Sequence, residues 1–480
     1  MGRLLVLAGG GTLLYVTYRI AYSVWLQYGS ADLYDLPGPE SSSYMYGNLV
    51  EIVKEEKGDL AQQWAEKYGK TMRIRGLFGM SMIWTSDCKL ISHVLKNDED
   101  FQKNTGQRFS LSRIVGSGVL VAEGEKHRIQ RKVMNPAFGP TQVRELTEIF
   151  VDKSIKLRNA WATHIDEKRG SGCVDAISWL SKMTLDVIGE AGFHYSFNAL
   201  DGESNELSDA YAKIFRQGGK HGNIPLLIYR LLQEAIPATR ILPEPEYSLR
   251  KAQNIANQTG KTLLRESKAA LNEASEKGDI KRTRDLLSLL VKSNMSTEGQ
   301  SMSEEDVLSQ VPTFLVAGHE TTSTSTTFAL LALTDHPDIQ SKLREELLAV
   351  PTDNPTMEEL NNLPYLDAFI RETLRFYPPV PITARQAMKD DVIPLSTPYT
   401  DKKGVVHHEI RVKKGTNINF SIPAVNHDKD LWGEDAGEFK PQRWEKVPEA
   451  VTAIPGVWGN MMTFHGGSHA CIGWRFSLVE

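Results

Sequence analysis

The segment Phe464-His465-Gly466-Gly467-Ser468-His469-Ala470-Cys471-Ile472-Gly473 places three glycines around a single cysteine, seven positions after an aromatic residue. Glycine permits positive φ angles and close backbone approach, so this pattern predicts a chain folded tightly beneath a flat ligand. In such a loop Cys471 would be held as a thiolate. Backbone N–H groups aimed at its sulfur would lower its basicity, and Phe464 would shield it.

The loop alone leaves two alternatives open. The first is an ordinary glycine-rich turn that contains a buried, inert cysteine. The second is a zinc site, because His465, His469 and Cys471 are all suitable ligands. No second pair of cysteines or histidines stands at the spacing of a zinc finger, which disfavours zinc.

The composition is that of a globular protein large enough for one big domain or two to three ordinary ones. Its 480 residues carry 55 basic and 60 acidic side chains, a net charge of −5, so no overall basic field attracts nucleic acid. The three cysteines, Cys88, Cys173 and Cys471, are too few for a disulfide scaffold. We therefore predict no nucleic-acid partner and a reducing compartment for the folded part.

Residues 4–26 are mostly apolar, with Gly9-Gly10-Gly11 and Arg19 as interruptions. A segment of this length crosses a bilayer if Arg19 snorkels to an interface, and its tyrosines and tryptophan suit an interfacial belt. We predict a single membrane anchor in residues 1–30. A cleaved signal peptide and a helix lying in the interface plane are the alternatives; the cysteine count argues against the signal peptide.

The stretch Leu36-Pro37-Gly38-Pro39 predicts a stiff connector, because proline fixes φ and removes a backbone donor. We therefore predict a hinge over residues 31–48 and one large domain over residues 49–480. Helical periodicity dominates that domain, and the apolar residues 224–229 are either core or a loop that dips into the membrane. Short strands are predicted at 71–75, 80–85, 380–385 and 416–422.

A long helix is predicted to begin at a capping box formed by Ser301 and Glu304, to kink at Pro312 and to end near Thr334. Its middle reads Ala317-Gly318-His319-Glu320-Thr321-Thr322, where glycine and clustered threonines disfavour a helix. Small side chains leave room for something beside the helix. The alternative is that Gly318 only permits close packing of another helix.

Two charged patterns stand elsewhere. His127 and Arg131 are four apart, so on a helix two cations would share a face and could meet one anionic group, although a solvated basic face is the simpler interpretation. Glu372 and Arg375 also share a helical face, and by themselves they predict a surface ion pair of little energetic value. Arg443 stands beside aromatic residues.

The pattern Phe-x-x-Gly-x-basic-x-Cys-x-Gly resembles the haem-binding loop of the cytochrome P450 family, which uses a cysteine thiolate on haem iron. The small-Gly-x-acid-Thr sequence, the basic helix, and the Glu-x-x-Arg and Pro-x-Arg-aromatic segments resemble further motifs of the family, in the same order. The resemblance spans nearly everything after Leu36. His127 stands where the family usually has tryptophan, and His469 where it usually has arginine.

This resemblance implies residue roles. Cys471 would be the axial iron ligand. Glu320 and Thr321 would relay protons to oxygen. Glu372, Arg375 and Arg443 would form a buried structural network that holds the approach to the cysteine loop. The remaining haem-contacting residues would be Phe464, Gly467, His469, Gly473, His127, Arg131, Arg385, Ala317 and Gly318.

The resemblance also implies a fold and a function: a mainly α domain with a small mixed β-sheet (α+β) and one haem b. The enzyme would split O2 and insert one oxygen atom into an apolar organic substrate. Electrons would come from NADPH through a separate NADPH-cytochrome reductase, because no dinucleotide fingerprint is present. A single-pass location in the endoplasmic reticulum membrane, with the catalytic domain in the cytosol, is expected.

Two other functional classes stay open. A haem-thiolate peroxide isomerase is disfavoured because Glu320 and Thr321 would then have no proton to deliver. A truncated, non-catalytic product that holds haem poorly is the second, because Trp474–Glu480 reads as the first turns of a helix that family members continue. The substrate, the regiochemistry, the membrane orientation and the oligomeric state are not fixed by these patterns.

Overall fold

A computed structural model of the chain describes residues 31–55, 59–76, 79–167, 172–202, 237–242, 247–277, 285–296 and 301–480, together with positions 10–11, 14–15, 17–18, 229–230 and 233. Most of the predicted anchor and nearly all of the apolar stretch 224–229 lie outside these residues. Within them, the structure contains no helix whose length and apolar character would let it span a bilayer.

The helices are numbered from the first one whose bounds are described. They are α1 (Ala31–Asp35), α2 (Leu49–Val53), α3 (Leu60–Tyr68), α4 (Cys88–Lys96), α5 (Thr105–Val115), α6 (Gly124–Met134), α7 (Pro140–Glu167), α8 (Ala176–Phe193), α9 (Tyr247–Lys277), α10 (Leu286–Ser296), α11 (Glu304–Leu308), α12 (Gln310–Asp335), α13 (Pro337–Leu348), α14 (Met357–Asn361), α15 (Pro364–Phe376), α16 (Ile422–Asn426), α17 (Lys429–Trp432) and α18 (Trp474–Val479). Short 3-10 turns include 135–138, 441–445 and 467–469.

The strands form two small sheets. They are β1 (Thr71–Arg75), β2 (Ser81–Thr85), β3 (Phe101–Gln102), β4 (Ile382–Ala387), β5 (Asp391–Thr400), β6 (Val406–Val412) and β7 (Asn417–Ser421). The larger sheet has the order β1-β2-β7-β4-β3, in which β2 and β7 are parallel and the other pairs are antiparallel. The strands β5 and β6 form a separate antiparallel pair. The predicted α+β class with a small mixed sheet is confirmed.

The start of the central helix differs from the prediction. The side chain of Ser303, not Ser301, caps the short helix α11 by accepting the N–H of Asp306. The chain then breaks at Ser309, and α12 begins anew at Gln310. Pro312 therefore lies in the first turn of α12, where no intrahelical donor is required, and the helix is interrupted at Ser309, three residues before the proline, and not kinked within one continuous helix.

Helix α12 packs closely against α8, and both contribute to the largest hydrophobic cluster. A Cβ at Gly318 would lie 3.0 Å from Cδ1 of Ile188, so this glycine does permit close helix packing. His319 is anchored in the same interface: its Nε2 lies 2.7 Å from Oγ of Ser181, and burial lowers its pKa to about 4. It is a neutral core histidine, and the interface fixes the rotation of α12.

A second cluster lies between the sheet and the cysteine loop, and its polar centre is a buried ion pair. Glu372 and Arg375 of α15 are both 0% exposed. Arg375 donates from Nε and Nη2 to the two carboxylate oxygens of Glu372 at 2.9 and 2.7 Å. Nε of Arg443 lies 3.5 Å from Oε1 of Glu372. The ion pair is therefore buried, and the prediction of a surface ion pair from the local spacing is wrong.

The substitution Glu372→Gln tests this pair, because it keeps the side-chain shape and leaves Arg375 buried without a charge partner. We expect it to destabilise the protein by about 3–5 kcal/mol. The matched control is Glu125→Gln, since Glu125 is 60% exposed and pairs with Arg128 at the same i,i+3 spacing. We expect the control to change stability by less than about 1 kcal/mol. Unfolding midpoints in denaturant and heat measure both, and equal shifts would contradict the prediction.

Candidate active site

The backbone of the cysteine loop is fixed by contacts that exclude side chains. A Cβ at Gly466 would lie 1.7 Å from the carbonyl oxygen of Pro455. Gly467 has φ +68°, and a Cβ there would lie 2.7 Å from the carbonyl oxygen of Leu95. The N–H of Cys471 donates to the carbonyl of Phe464 at 2.9 Å and closes the loop. The two glycines are therefore required by close approach.

The thiol of Cys471 lies in an environment that opposes and supports its ionisation at once. Burial raises the pKa of the thiol, whereas a hydrogen bond from the N–H of Gly473 and the charge of Arg131 lower it. Arg131, on α6, also donates to the carbonyl of Ala470 at 2.7 Å. The basic helix is thus attached to the loop beside the cysteine, and the thiolate form is the one that these two groups favour.

A buried polar cluster adjoins the loop. His469 stacks on His127 with ring centroids 3.8 Å apart, and its Nε2 lies 3.1 Å from Oε2 of Glu123. Nζ of Lys103 lies 3.1 Å from Oε1 of Glu123 and 3.4 Å from Nδ1 of His469. Burial alone would raise the pKa of Glu123, but its hydrogen bonds with His469 and Lys103 lower it to about 2. Glu123 is therefore the carboxylate of this cluster.

The two histidines contribute little positive charge. Burial, reinforced by the charges of His469 and Lys103, lowers the pKa of His127 to about 3. Burial also lowers the pKa of His469, although Glu123 opposes that shift. Of the expected pair on α6, Arg131 is therefore the cation, and His127 is a neutral buried ring.

Arg385, on β4, adds another buried cation to the same neighbourhood. It is 3% exposed and donates to two neutral oxygens, Oγ1 of Thr383 at 3.2 Å and the carbonyl of Ala384 at 2.9 Å. Burial lowers the pKa of Arg385, and the nearby carboxylate of Glu123 partly opposes this. Lys103, whose pKa burial lowers to about 8, lies close enough to feel the charge of Arg385.

The described part of this site thus holds more positive than negative charge. Buried and half-buried cations are stabilised by anionic partners, so an anionic ligand group would complement Lys103, Arg131 and Arg385. Haem carries two carboxylate groups, and the residues present therefore fit it.

The middle of α12 has one exposed small residue among buried and half-buried neighbours. Ala317 is exposed, whereas the other residues from 310 to 330 are buried or half-buried. The hydroxyl of Thr321 donates to the carbonyl of Ala317 at 2.7 Å, the back-bonding expected of a threonine in a helix. Glu320 is half-buried, and burial raises the pKa of its carboxyl.

Aromatic packing connects this helix to the cysteine loop. A Cβ at Gly473 would lie 3.8 Å from Cε1 of Phe138, and the rings of Phe138 and Phe314 are 5.5 Å apart. The loop, the basic helix α6 and α12 are therefore parts of one core.

The sequence singled out His469, His127, Arg131 and Arg385, and the structure places them in one neighbourhood. It did not single out Lys103 or Glu123. Neither residue belongs to a periodic pattern, and Lys103 is 366 positions from His469. The one local signal for Glu123 is its position immediately before the basic helix.

Comparisons with known proteins agree with this geometry. A family model described as Cytochrome P450 matches residues 37–480. Cytochrome P450 monooxygenase 128 of Postia placenta is 49% identical over 486 residues, covering 98% of this chain and 88% of the relative. Cytochrome P450 monooxygenase 205 of the same organism is 47% identical over 476 residues, with 96% and 87% covered. A ganoderic acid synthetase of Ganoderma lucidum is 33% identical over 494 residues, with 96% and 88% covered.

The family match covers the cysteine loop, the central helix and the buried ion-pair network, and it favours haem over zinc as the partner of the loop. The chain belongs to the cytochrome P450 family and is a haem-binding monooxygenase of the haem-thiolate class.

Proposed function

We propose that Cys471 is the thiolate ligand of a haem b iron and that the enzyme oxidises an apolar organic substrate. The observation that carries this proposal is the loop held in place by its glycines, with a half-buried cysteine beside one buried cation, Arg385, and two half-buried cations, Lys103 and Arg131. When bound, haem supplies reductive activation of O2, with one oxygen atom going to the substrate and the other to water.

The cations would bind the carboxylates of haem. Arg385 supplies charge from β4, Lys103 supplies it from the position directly after β3, and Arg131 supplies it from α6. His469 and His127 supply hydrogen bonding and a stacked surface, because burial lowers the pKa of both. These assignments match the chemistry of the donors, since Arg and Lys are the usual partners of buried carboxylates.

Other residues would shape the site. Phe464 flanks the cysteine, Gly467 and Gly473 keep the loop close to its neighbours, and Ala317 presents a small side chain toward the opposite side. Ile188 occupies the space into which a side chain at position 318 would point. Gly318 would therefore contact the ligand through its backbone.

Glu320 and Thr321 would hold and transfer the protons that O–O cleavage requires. The hydroxyl of Thr321 gives its hydrogen to Ala317, so its oxygen is available to accept from water. Burial raises the pKa of Glu320, which brings its proton exchange closer to neutral pH. We therefore assign water orientation to Thr321 and proton exchange to Glu320.

Electrons would come from NADPH through a separate reductase that docks beside the cysteine loop. Helix α6 supports this location, because Arg131 contacts the loop while Lys126 and Arg128 are 52% and 61% exposed. An acidic partner surface would be attracted to this helix.

Residues 1–30 would anchor the enzyme as a single-pass protein of the endoplasmic reticulum, with residues 49–480 in the cytosol. The hinge supports this arrangement in two ways. Its first part is attached to the domain, and its later part exposes large apolar side chains that could lie against a membrane surface. Leu36 is 0% exposed and the N–H of Arg73 donates to the carbonyl of Pro37 at 2.7 Å, whereas Tyr44 and Met45 are 74% and 49% exposed.

Replacement of the ligand tests the haem proposal. The reduced protein with CO should show the strongly red-shifted Soret band of a thiolate-ligated haem, and Cys471→Ala should lose it. The control is Cys88→Ala, because Cys88 is buried and burial raises its thiol pKa to about 12, which makes it inert. A red-shifted band that survives in Cys471→Ala would refute the assignment.

The substitution Thr321→Ala tests proton delivery. With purified reductase and naphthalene as the apolar probe, NADPH oxidation should continue, while product per NADPH should fall about 10-fold or more and hydrogen peroxide should rise. Thr326→Ala is the control, because the hydroxyl of Thr326 makes the same back-bond to Thr322 at 2.9 Å, one turn further along α12. Unchanged coupling in Thr321→Ala would remove this residue from the relay.

A further inference from the structure

The chain that enters the cysteine loop is held by a buried asparagine outside the Glu372–Arg375–Arg443 network. Asn426, at the end of α16, is 0% exposed. Its Nδ2 donates to the carbonyl of Arg375 at 3.1 Å and to Oγ1 of Thr463 at 3.0 Å. Its Oδ1 accepts the N–H of Met462 at 2.9 Å. One amide group therefore connects α15 to two consecutive residues of the segment that leads to the loop.

Thr463 makes a second connection between the same elements. Its hydroxyl donates to the carbonyl of Leu374 at 2.7 Å and accepts from Asn426. A hydroxyl has one hydrogen to donate and lone pairs to accept, so both bonds form at once. Arg375 also donates from Nη1 to the carbonyl of Asn426 at 2.8 Å. The last turn of α15 and Asn426 are thus bonded in both directions.

These contacts are connected to the cysteine through one peptide bond and one hydrogen bond. Thr463 directly precedes Phe464, and the carbonyl of Phe464 accepts the N–H of Cys471 at 2.9 Å. A shift of residues 462–464 would therefore displace the backbone of Cys471. The buried position of all these bonds makes them strong and leaves no water to replace them.

We propose that Asn426 and Thr463 are positioning residues that set the location of the Cys471 sulfur by coupling the cysteine loop to the rigid end of α15. This inference rests on the proposed role of Cys471 as ligand. The Glu372–Arg375 pair fixes the position of α15. The hydrogen bonds of Asn426 and Thr463 then hold the segment before the loop at a fixed position relative to α15. Without them the loop keeps its glycine contacts but loses its register against α15.

The experiment uses the full-length protein and compares Asn426→Ala and Thr463→Val with two controls. Thr463→Ser keeps the hydroxyl and should behave as the wild type. Asn48→Ala removes an equally buried asparagine with three similar bonds, to the carbonyl of Glu40, to Oε2 of Glu51 and from the N–H of Arg75, at 2.9, 3.0 and 2.9 Å. That control measures the general cost of losing a buried amide.

Four readouts separate positioning from stability: hydrogen exchange of the Cys471 amide, the affinity for haem in a titration, the reduction potential of the haem, and the thiolate-ligated fraction in the CO spectrum. We expect Asn426→Ala and Thr463→Val to speed exchange and to reduce the affinity for haem by about 10-fold, as for other residues that orient a metal ligand. We also expect both variants to shift the reduction potential and to lower the thiolate-ligated fraction. In Asn48→Ala all these quantities should stay unchanged, even where the thermal midpoint falls as far.

If Asn426→Ala and Asn48→Ala behave alike at equal thermal midpoints, Asn426 contributes stability only and the inference is wrong. A wild-type protein without the thiolate band would instead overturn Cys471 as ligand. The exchange rate of its amide would then still decide whether Asn426 and Thr463 hold the loop.

Discussion

The buried ion pair between Glu372 and Arg375 is the constraint on which the path of the chain toward the cysteine loop depends. Two full charges at 0% exposure are tolerated only when every remaining donor and acceptor is satisfied. Glu372 accepts from Arg375, from the N–H of Lys440 and from Nε1 of Trp444. Arg375 donates to the carbonyls at positions 426, 436 and 438. The ion pair can exist only if the chain between 422 and 445 folds back onto α15.

That requirement explains how a segment with little regular secondary structure acquires a definite path. Between β7 and α18 the described chain consists of short helices, 3-10 turns and extended stretches. Backbone groups there cannot all pair within a helix or sheet, so side chains satisfy them. The buried arginine provides several of these bonds, and Asn426 and Thr463 provide more. The cysteine loop follows directly, so its location is derived from α15 and not from a neighbouring strand.

The sequence predicted the class of fold because several short motifs stand in the same order as in the cytochrome P450 family. Local patterns also predicted β1 at its observed bounds. They failed for Glu372 and Arg375, because i,i+3 spacing tells which face of a helix two residues share and not whether that face is buried. At Pro312 they predicted a kink within one helix, and the structure has an interruption at Ser309, after which a new helix begins with the proline in its first turn.

Other features had no local signal at all. Lys103, Glu123 and Asn426 act through partners that are distant in sequence, and a lone lysine, glutamate or asparagine resembles a surface residue until the fold is known. Long-range pairing is a property of the tertiary structure. The resemblance of the loop motif to that of the cytochrome P450 family therefore predicts a haem-binding loop, but not the polar residues that surround and support it.

The cluster beside the loop also shows that residue type alone does not determine charge. The motif suggested a cationic His469 in the place of the usual arginine. In the structure His469 is stacked on His127, its Nε2 lies 3.1 Å from Oε2 of Glu123, and burial lowers its pKa. A neutral, stacked ring can orient a ligand but supplies no net charge. The positive charge must then come from groups that burial does not readily neutralise, namely Arg131 and Arg385 with their high intrinsic pKa, assisted by Lys103. With histidines in the positions of tryptophan and arginine, the positive charge of the site thus lies on α6, on β4 and on the residue directly after β3, and not on the loop.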